Sequence, residues 1–399
     1  ELTAGGSIRL TSGGAAYTTR FFADDAAAYA IFADGEDLVM RTLGQHTHCI
    51  CGNSSCNEDG HGEAVTFATV LTQALLEQNR YTLSDGTYYL NGTLSPVNKI
   101  EITGTVTICL NGQTIQSTAA DQSVFEIADG GKLTLTDCTS NPGTVTHSNV
   151  TGSGVEVKKG TFTMYGGEIS GNSASNGGGV YVCGGSTFDL YGGKISGNTV
   201  TNDGGGVCVA TNGKFNMHGG KIEISGNTAA TYGGGVYVSG GTFNLYNGGS
   251  ITNNKAINYV GQNRGGGVHV GSYDKAGTFN LYGGSITKNK AAKGGGVKVT
   301  SGTVNVYGGA IADNKAAGSA EGTGNGGGVY MSGGTFHMRG GSITADPYFR
   351  SGQDTACTHC DYLSVCHFTP GAGGDCHRVL TKLPADKVWS SLKGGEMHG

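Results

Sequence analysis

The 399-residue chain holds 75 Gly but only 5 Pro, 14% charged residues and a formal net charge of −5. Glycine in such excess without a three-residue period, and with so little proline, excludes a collagen-type triple helix. Hydrophobic residues make up 37% of the chain and recur in register, which excludes a simple disordered polymer. No apolar run approaches the ~18 residues of a membrane helix, and no dense basic stripe suits nucleic acid.

Residues 1–45 form an N-terminal extension. It mixes strand-like "SIRLTS" (7–12) and "YAIFADG" (29–35) with an Ala-rich stretch, and its fold stays unassigned. The chain opens at Glu1 rather than Met, as a processed form does.

Residues 46–62, "HTHCICGNSSCNEDGHG", crowd Cys49, Cys51 and Cys56 together with His46, His48 and His61. Several soft ligands on one Gly-rich segment suit tetrahedral Zn²⁺. The expected ligands are Cys49, Cys51, Cys56 and His61, with His48 as substitute. Disulfides are the other reading, since they form in oxidising surroundings, but a C-x-C pair bridges poorly to itself. No base or open coordination position is evident, so a structural ion is expected.

Residues 63–80, "EAVTFATVLTQALLEQNR", place Val65, Ala68, Thr69, Thr72, Leu75 and Leu76 at helical spacing. The expectation is a helix that caps the open end of the repetitive region, because unpaired terminal strands invite association.

Residues 81–346 are repetitive. After three irregular segments, a Gly-rich unit recurs, anchored at Val155, Val180, Val207, Val236, Val268, Val297 and Val329. The spacings are 25, 27, 29, 32, 29 and 32 residues. A constant core with variable intervals is the mark of a solenoid whose loops absorb insertions. Within "TFNLY" the period is two, so Phe279 and Leu281 face one way and Asn280 and Tyr282 the other. Aligning the units makes inward columns: a Phe column from Phe162 to Phe336, a Met/Leu column from Met164 to Met338, and an Ile column from Ile169 to Ile343. Three short strands per coil with apolar columns inside describe an all-β parallel β-helix. The "YGG" and "NGGG" turns call for positive φ and close backbone approach. A column of Asn172, Asn198, Asn227, Asn254, Asn289 and Asn314 reads as an internal amide ladder at a corner.

The C-terminal segment 347–399 is again Cys/His-rich. Cys357, Cys360, Cys366 and Cys376, with three histidines, suit either zinc or disulfides. Cys109, Cys138, Cys183 and Cys208 are scattered through the coils and read as buried thiols, with Cys183 and Cys208 as a candidate inter-coil bridge.

The order "HTHCICG", "GTYYLNGTL", "ITGTVTICLNGQTI", "KLTLTDC" and then "GGTFNLYGGSIT…GGGVYV" units resembles the large Gly-rich surface proteins of gram-positive gut bacteria, over roughly residues 46–346. The resemblance implies a right-handed parallel β-helix of the pectate-lyase-like superfold, secretion and cell-surface display. The C-terminal "KLPADKVW" is not a sorting signal, which puts covalent wall attachment in doubt.

The sequence suits two function classes. Polyuronide-cleaving β-helix enzymes need clustered carboxylates, sometimes around Ca²⁺. Here Asp189, Asp203, Glu223, Asp274 and Asp313 occupy different positions in the repeat, and "DGHGE" (59–63) lies outside the rod. No catalytic residue is expected. The other class is a structural or adhesive rod. Tyr165, Tyr191, Tyr246, Tyr282 and Tyr307 recur at one outward position, with His218 and Arg339 in the remaining units. A polar column from Thr163 through Asn244 to His337 runs alongside. Such a row offers a surface for glycans, or it stabilises the sheet through cross-strand pairs. Residues 151–345 carry 14 Lys/Arg against 8 Asp/Glu, a net of +6 against −5 for the whole chain. That asymmetry suits end-to-end self-association or anionic glycans. The expected protein is an extracellular, non-enzymatic surface rod that forms filaments and contacts glycans; the runner-up is a polysaccharide-active lyase or hydrolase.

Overall fold

Alternation within each "TFNL" segment turns Phe and Leu inward and Asn and Tyr outward, and like repeats stack like on like. The architecture follows from that one rule: a parallel β-solenoid, all-β apart from one short helix among the described residues. The computed structural model describes residues 7–9, 29–34, 37–42, 46–50, 64–257, 265–316 and 326–345.

The "TFNL" strands form an 11-stranded parallel sheet from Thr69–Val70 to Thr335–Met338. The "GGGVYV" strands form a 10-stranded sheet from Thr82–Leu83 to Val329–Met331. The third face differs from the expected single strand per coil. Past the Asn corner the chain adds a short fourth strand, such as Thr228–Ala229 or Lys255–Ala256. Both segments join one 14-stranded path through Ala310–Ala316, which runs across the corner unbroken. Register is like on like: Phe243 pairs with Phe279 and Asn244 with Asn280.

The interior is a continuous apolar cluster. Phe162, Phe188, Phe215, Phe243 and Phe279 are fully buried and stack with centroids 4.7–5.0 Å apart. Each such burial stabilises by roughly 2–3 kcal/mol over an exposed ring. In the last described coil Phe336 and Met338 are only partly buried.

The amide ladder forms as the sequence suggests. Asn227 Nδ2 donates to the Ile195 carbonyl at 2.9 Å and to Asn254 Oδ1 at 2.9 Å, while its own Oδ1 accepts from Asn198 N and Nδ2 at 3.0 Å. The residue before each ladder Asn takes positive φ, from 55° at Asp313 to 68° at Gly171, which turns the chain inward. The triple glycine has two separate causes. Gly233 needs φ of 62°, whereas a Cβ on Gly235 would meet the Gly267 carbonyl at 2.7 Å.

The 63–80 expectation needs correction. Val65–Phe67 and Thr69–Val70 are strands, and the helix spans only Gln73–Gln78, with Thr72 capping Leu75 N. β-Branched Val65, Thr66, Thr69 and Val70 favour the extended state, and Thr72 supplies the first capping hydroxyl after them. Leu76 reaches the core cluster beside Leu71 and Leu83. Within residues 1–45 a separate antiparallel sheet orders Ser7–Arg9, Asp37–Thr42 and Tyr29–Asp34. Cys109, Cys138, Cys183 and Cys208 are free thiols, as the sequence suggests, and the candidate bridge between Cys183 and Cys208 is not formed.

Candidate metal centre

The segment "HTH" is a strand, His46–His48, paired antiparallel with Val65–Phe67. Alternation puts His46 and His48 on one side and Thr47 on the other, where it meets Thr66 Oγ1 at 3.1 Å. The hairpin lies against the outer face of the 11-stranded sheet. There Tyr89, Cys109 and Thr136 occupy successive rungs of one outward column.

This packing gathers four donors. His46 Nε2 and His48 Nε2 each lie 3.2 Å from Cys109 Sγ. Cys138 Sγ lies 3.5 Å from His46 Nε2 and 3.7 Å from Cys109 Sγ. All four ligand atoms fall within 4.8 Å of one another, a cluster that could hold a metal ion. Zn–S bonds of ~2.3 Å and Zn–N bonds of ~2.0–2.1 Å in a tetrahedron put S···S at about 3.8 Å and N···S at about 3.6 Å. Four of the six edges, at 3.2–3.7 Å, are near those values, while the group as a whole spans up to 4.8 Å, so the cluster could hold an ion once the donors draw together.

The surroundings orient the donors. His48 Nδ1 donates to the Cys49 carbonyl at 2.6 Å, so Nε2 carries the lone pair that faces Cys109, the usual outer-shell arrangement for a ligating His. The His46 ring stacks on Tyr89 at 4.8 Å and the His48 ring on Phe67 at 4.7 Å. Thr136 Oγ1 donates to the Ile50 carbonyl. Phe67, Tyr89 and Cys109 form an apolar cluster of their own, flanked by Val65, Val70 and Cys138. Burial pushes the Cys109 thiol far above its ordinary value and raises Cys138 too, while burial and the neighbouring His48 hold His46 below its own.

The cluster shares His48 with the ligands read in the sequence, most of which are not among the described residues. Cys49 is buried beside it and contributes its carbonyl to His48 rather than its sulfur to the donor cluster. Cys51, Cys56 and His61, together with Cys357, Cys360, Cys366 and Cys376, lie outside the described residues. His46, Cys109 and Cys138 complete the cluster, the two cysteines having read as inert thiols. Aligning "TVTIC" with "KLTLTDC" would have shown both near the outward end of neighbouring strands, within one coil of each other.

The outward aromatic column is a continuous stack. Tyr165, Tyr191, His218, Tyr246, Tyr282 and Tyr307 follow one another with centroids 4.0–5.4 Å apart and planes within 10°. Arg339 lies over Tyr307 at 5.8 Å. Each inner ring of the column has both faces covered by its neighbours. Beside it Asn244, Asn280 and Asn305 pass amide hydrogen bonds of 2.7–2.8 Å from coil to coil. Asp189 at the end of that ladder accepts from Asn216 at 2.8 Å and lies 3.2 Å from His218.

One carboxylate column escaped the sequence reading. Glu101, Glu126 and Glu156 stand on consecutive rungs of the 10-stranded sheet. Glu126 bonds Lys99 at 2.6 Å and Lys158 at 2.8 Å. Burial alone would raise its carboxyl, but the bonds from Lys158 and Lys99 outweigh that and hold it below the ordinary value.

No protein-family profile, curated protein or solved structure matches this chain.

Proposed function

We propose that the chain is an extracellular, non-enzymatic rod displayed at a cell surface, of the right-handed gram-positive β-helix kind that its repeat resembles. The observation that carries this reading is the self-pairing of the outward ladders. Tyr282 stacks between Tyr246 and Tyr307, and Asn280 bonds Asn244 and Asn305. Side chains that satisfy one another along the axis make a stiff rod with a uniform surface. Glycan contact, in this reading, uses the hydroxyls and edges of Tyr165, Tyr191, Tyr246, Tyr282 and Tyr307, since the inner rings have both faces covered. The metal centre holds a structural Zn²⁺, because four protein donors fill the tetrahedron and leave no position for substrate.

The charge asymmetry along the chain favours end-to-end self-association. A head-to-tail contact of that kind does not close and produces fibres. Electron microscopy and light scattering of the full chain over a concentration series test it. Filaments that lengthen with concentration are expected, and single rods at every concentration would remove self-association from the reading. The stacked Glu101, Glu126 and Glu156 favour a second reading, a polysaccharide-active enzyme.

A further inference from the structure

The four donors of the metal centre come from three distant pieces of chain. His46 and His48 sit on the hairpin, Cys109 closes one coil strand, and Cys138 follows the strand of the next coil. His46 and Cys138 are 92 residues apart. An ion between them would tie the hairpin to two coils at once.

Apart from the donors, the attachment is thin. The hairpin has two three-residue strands, too short to persist alone in water. Val65–Phe67 is held covalently close to the sheet, because the chain runs from it into Thr69–Val70. It gains a bond from Thr87 Oγ1 to the Thr66 carbonyl at 3.0 Å. The His46–His48 strand meets the coils through the stack of His46 on Tyr89, the bond from Thr136 to Ile50 just after it, and the donor cluster itself. Gathering two thiols and two imidazoles away from water costs solvation unless a partner replaces it. A cation that binds all four offsets that cost and makes its binding free energy available for folding.

Resting on the structural-zinc reading, we infer that the ion is a clasp: its occupancy decides whether the His46–His48 strand stays seated on the rod. With Zn²⁺ bound, the strand covers Tyr89, Cys109 and Thr136. These are the first rungs of the outward column that continues, in the same register, into Tyr165 and the aromatic stack. Without the ion the strand lifts, the two thiols meet solvent, and the segment before residue 46 loses its attachment at this point. The coils do not depend on the ion, because their Phe and Ile columns are closed without it.

The test uses the full chain. Metal content is measured for the unsubstituted protein and for Cys109→Ser and Cys138→Ser, so that ions held elsewhere cancel. Hydrogen exchange is then followed with Zn²⁺ bound and after a strong chelator. The expected result is one equivalent less Zn²⁺ in each variant. On chelation, protection at His46–Cys49 should fall roughly tenfold or more, with Val180–Val306 unchanged. Equal metal content in all three proteins would overturn both the zinc reading and the clasp. Loss of one equivalent in the variants, with unchanged protection at His46–Cys49 on chelation, would leave the zinc reading standing and overturn the clasp. Loss of protection throughout the coils would also overturn it, since the ion would then hold the whole rod.

Discussion

Cys109 and Cys138 hold their sulfur atoms 3.7 Å apart on neighbouring coils, as two unbridged thiols. A disulfide needs ~2.05 Å between sulfurs, whereas the observed separation is close to the sulfur–sulfur edge of a zinc tetrahedron. Burial raises both thiols, so near neutral pH each carries a proton that the ion must displace. Zinc affinity at this site should therefore rise with pH between 6 and 8, by up to about a hundredfold per unit for two protons. Chelator competition at three pH values, compared with Cys138→Ser, reads this. A pH-independent affinity would show that the thiols are not the ligands.

Core and surface columns should respond very differently to substitution. Ile286 is fully buried and Tyr282 is 40% exposed. Ile286→Asp puts an unpaired carboxylate inside the apolar column and should cost several kcal/mol or prevent folding. Tyr282→Ser forfeits two ring stacks and should cost about 1–2 kcal/mol. Thermal unfolding of the two variants compares them, and equal shifts would contradict the inward and outward assignment.

His269 points outward in "GGGVHV" yet is fully buried. It packs against Tyr232 at 4.5 Å and Tyr237 at 5.5 Å, with Nε2 3.0 Å from Thr300 Oγ1. Burial, helped by neighbouring Lys298, lowers it to about 3. The unfolded chain binds this proton near pH 6.5 and the folded one only near 3, so stability falls as pH drops through that window. Urea midpoints at pH 7 and pH 4 should differ less for His269→Gln than for the unsubstituted protein. An unchanged difference would mean that other groups carry the acid sensitivity.

Glu126 is held between Lys99 and Lys158, an arrangement that keeps a carboxylate ionised rather than poised to give or take a proton. Assays with polygalacturonate, with and without Ca²⁺, should release neither unsaturated nor reducing ends. Turnover that disappears in Glu126→Gln would put the enzyme reading first.

The rod was legible because its information is local and repeated. Alternation assigns Phe279, Leu281 and Ile286 to the inside whatever the neighbouring chain does, and repetition then imposes like-on-like register. The Asn corner was legible for the same reason, since a buried amide at a fixed point of every repeat has another amide as its natural partner. The 63–80 segment was not: its apolar spacing is compatible with a helix, and pairing of Val65–Phe67 with "HTH" and of Thr69–Val70 with the first coil decides for strands. The candidate metal cluster lay furthest from view. Proximity in sequence grouped Cys49, Cys51, Cys56 and His61, of which only Cys49 is among the described residues, whereas a solenoid turns a separation of 29 residues between Cys109 and Cys138 into one step along its axis, about 4.8 Å. Residue types in the chain determined that thiols and imidazoles were present to bind a soft ion; only coil stacking, which brings distant rungs side by side, decided which of them meet.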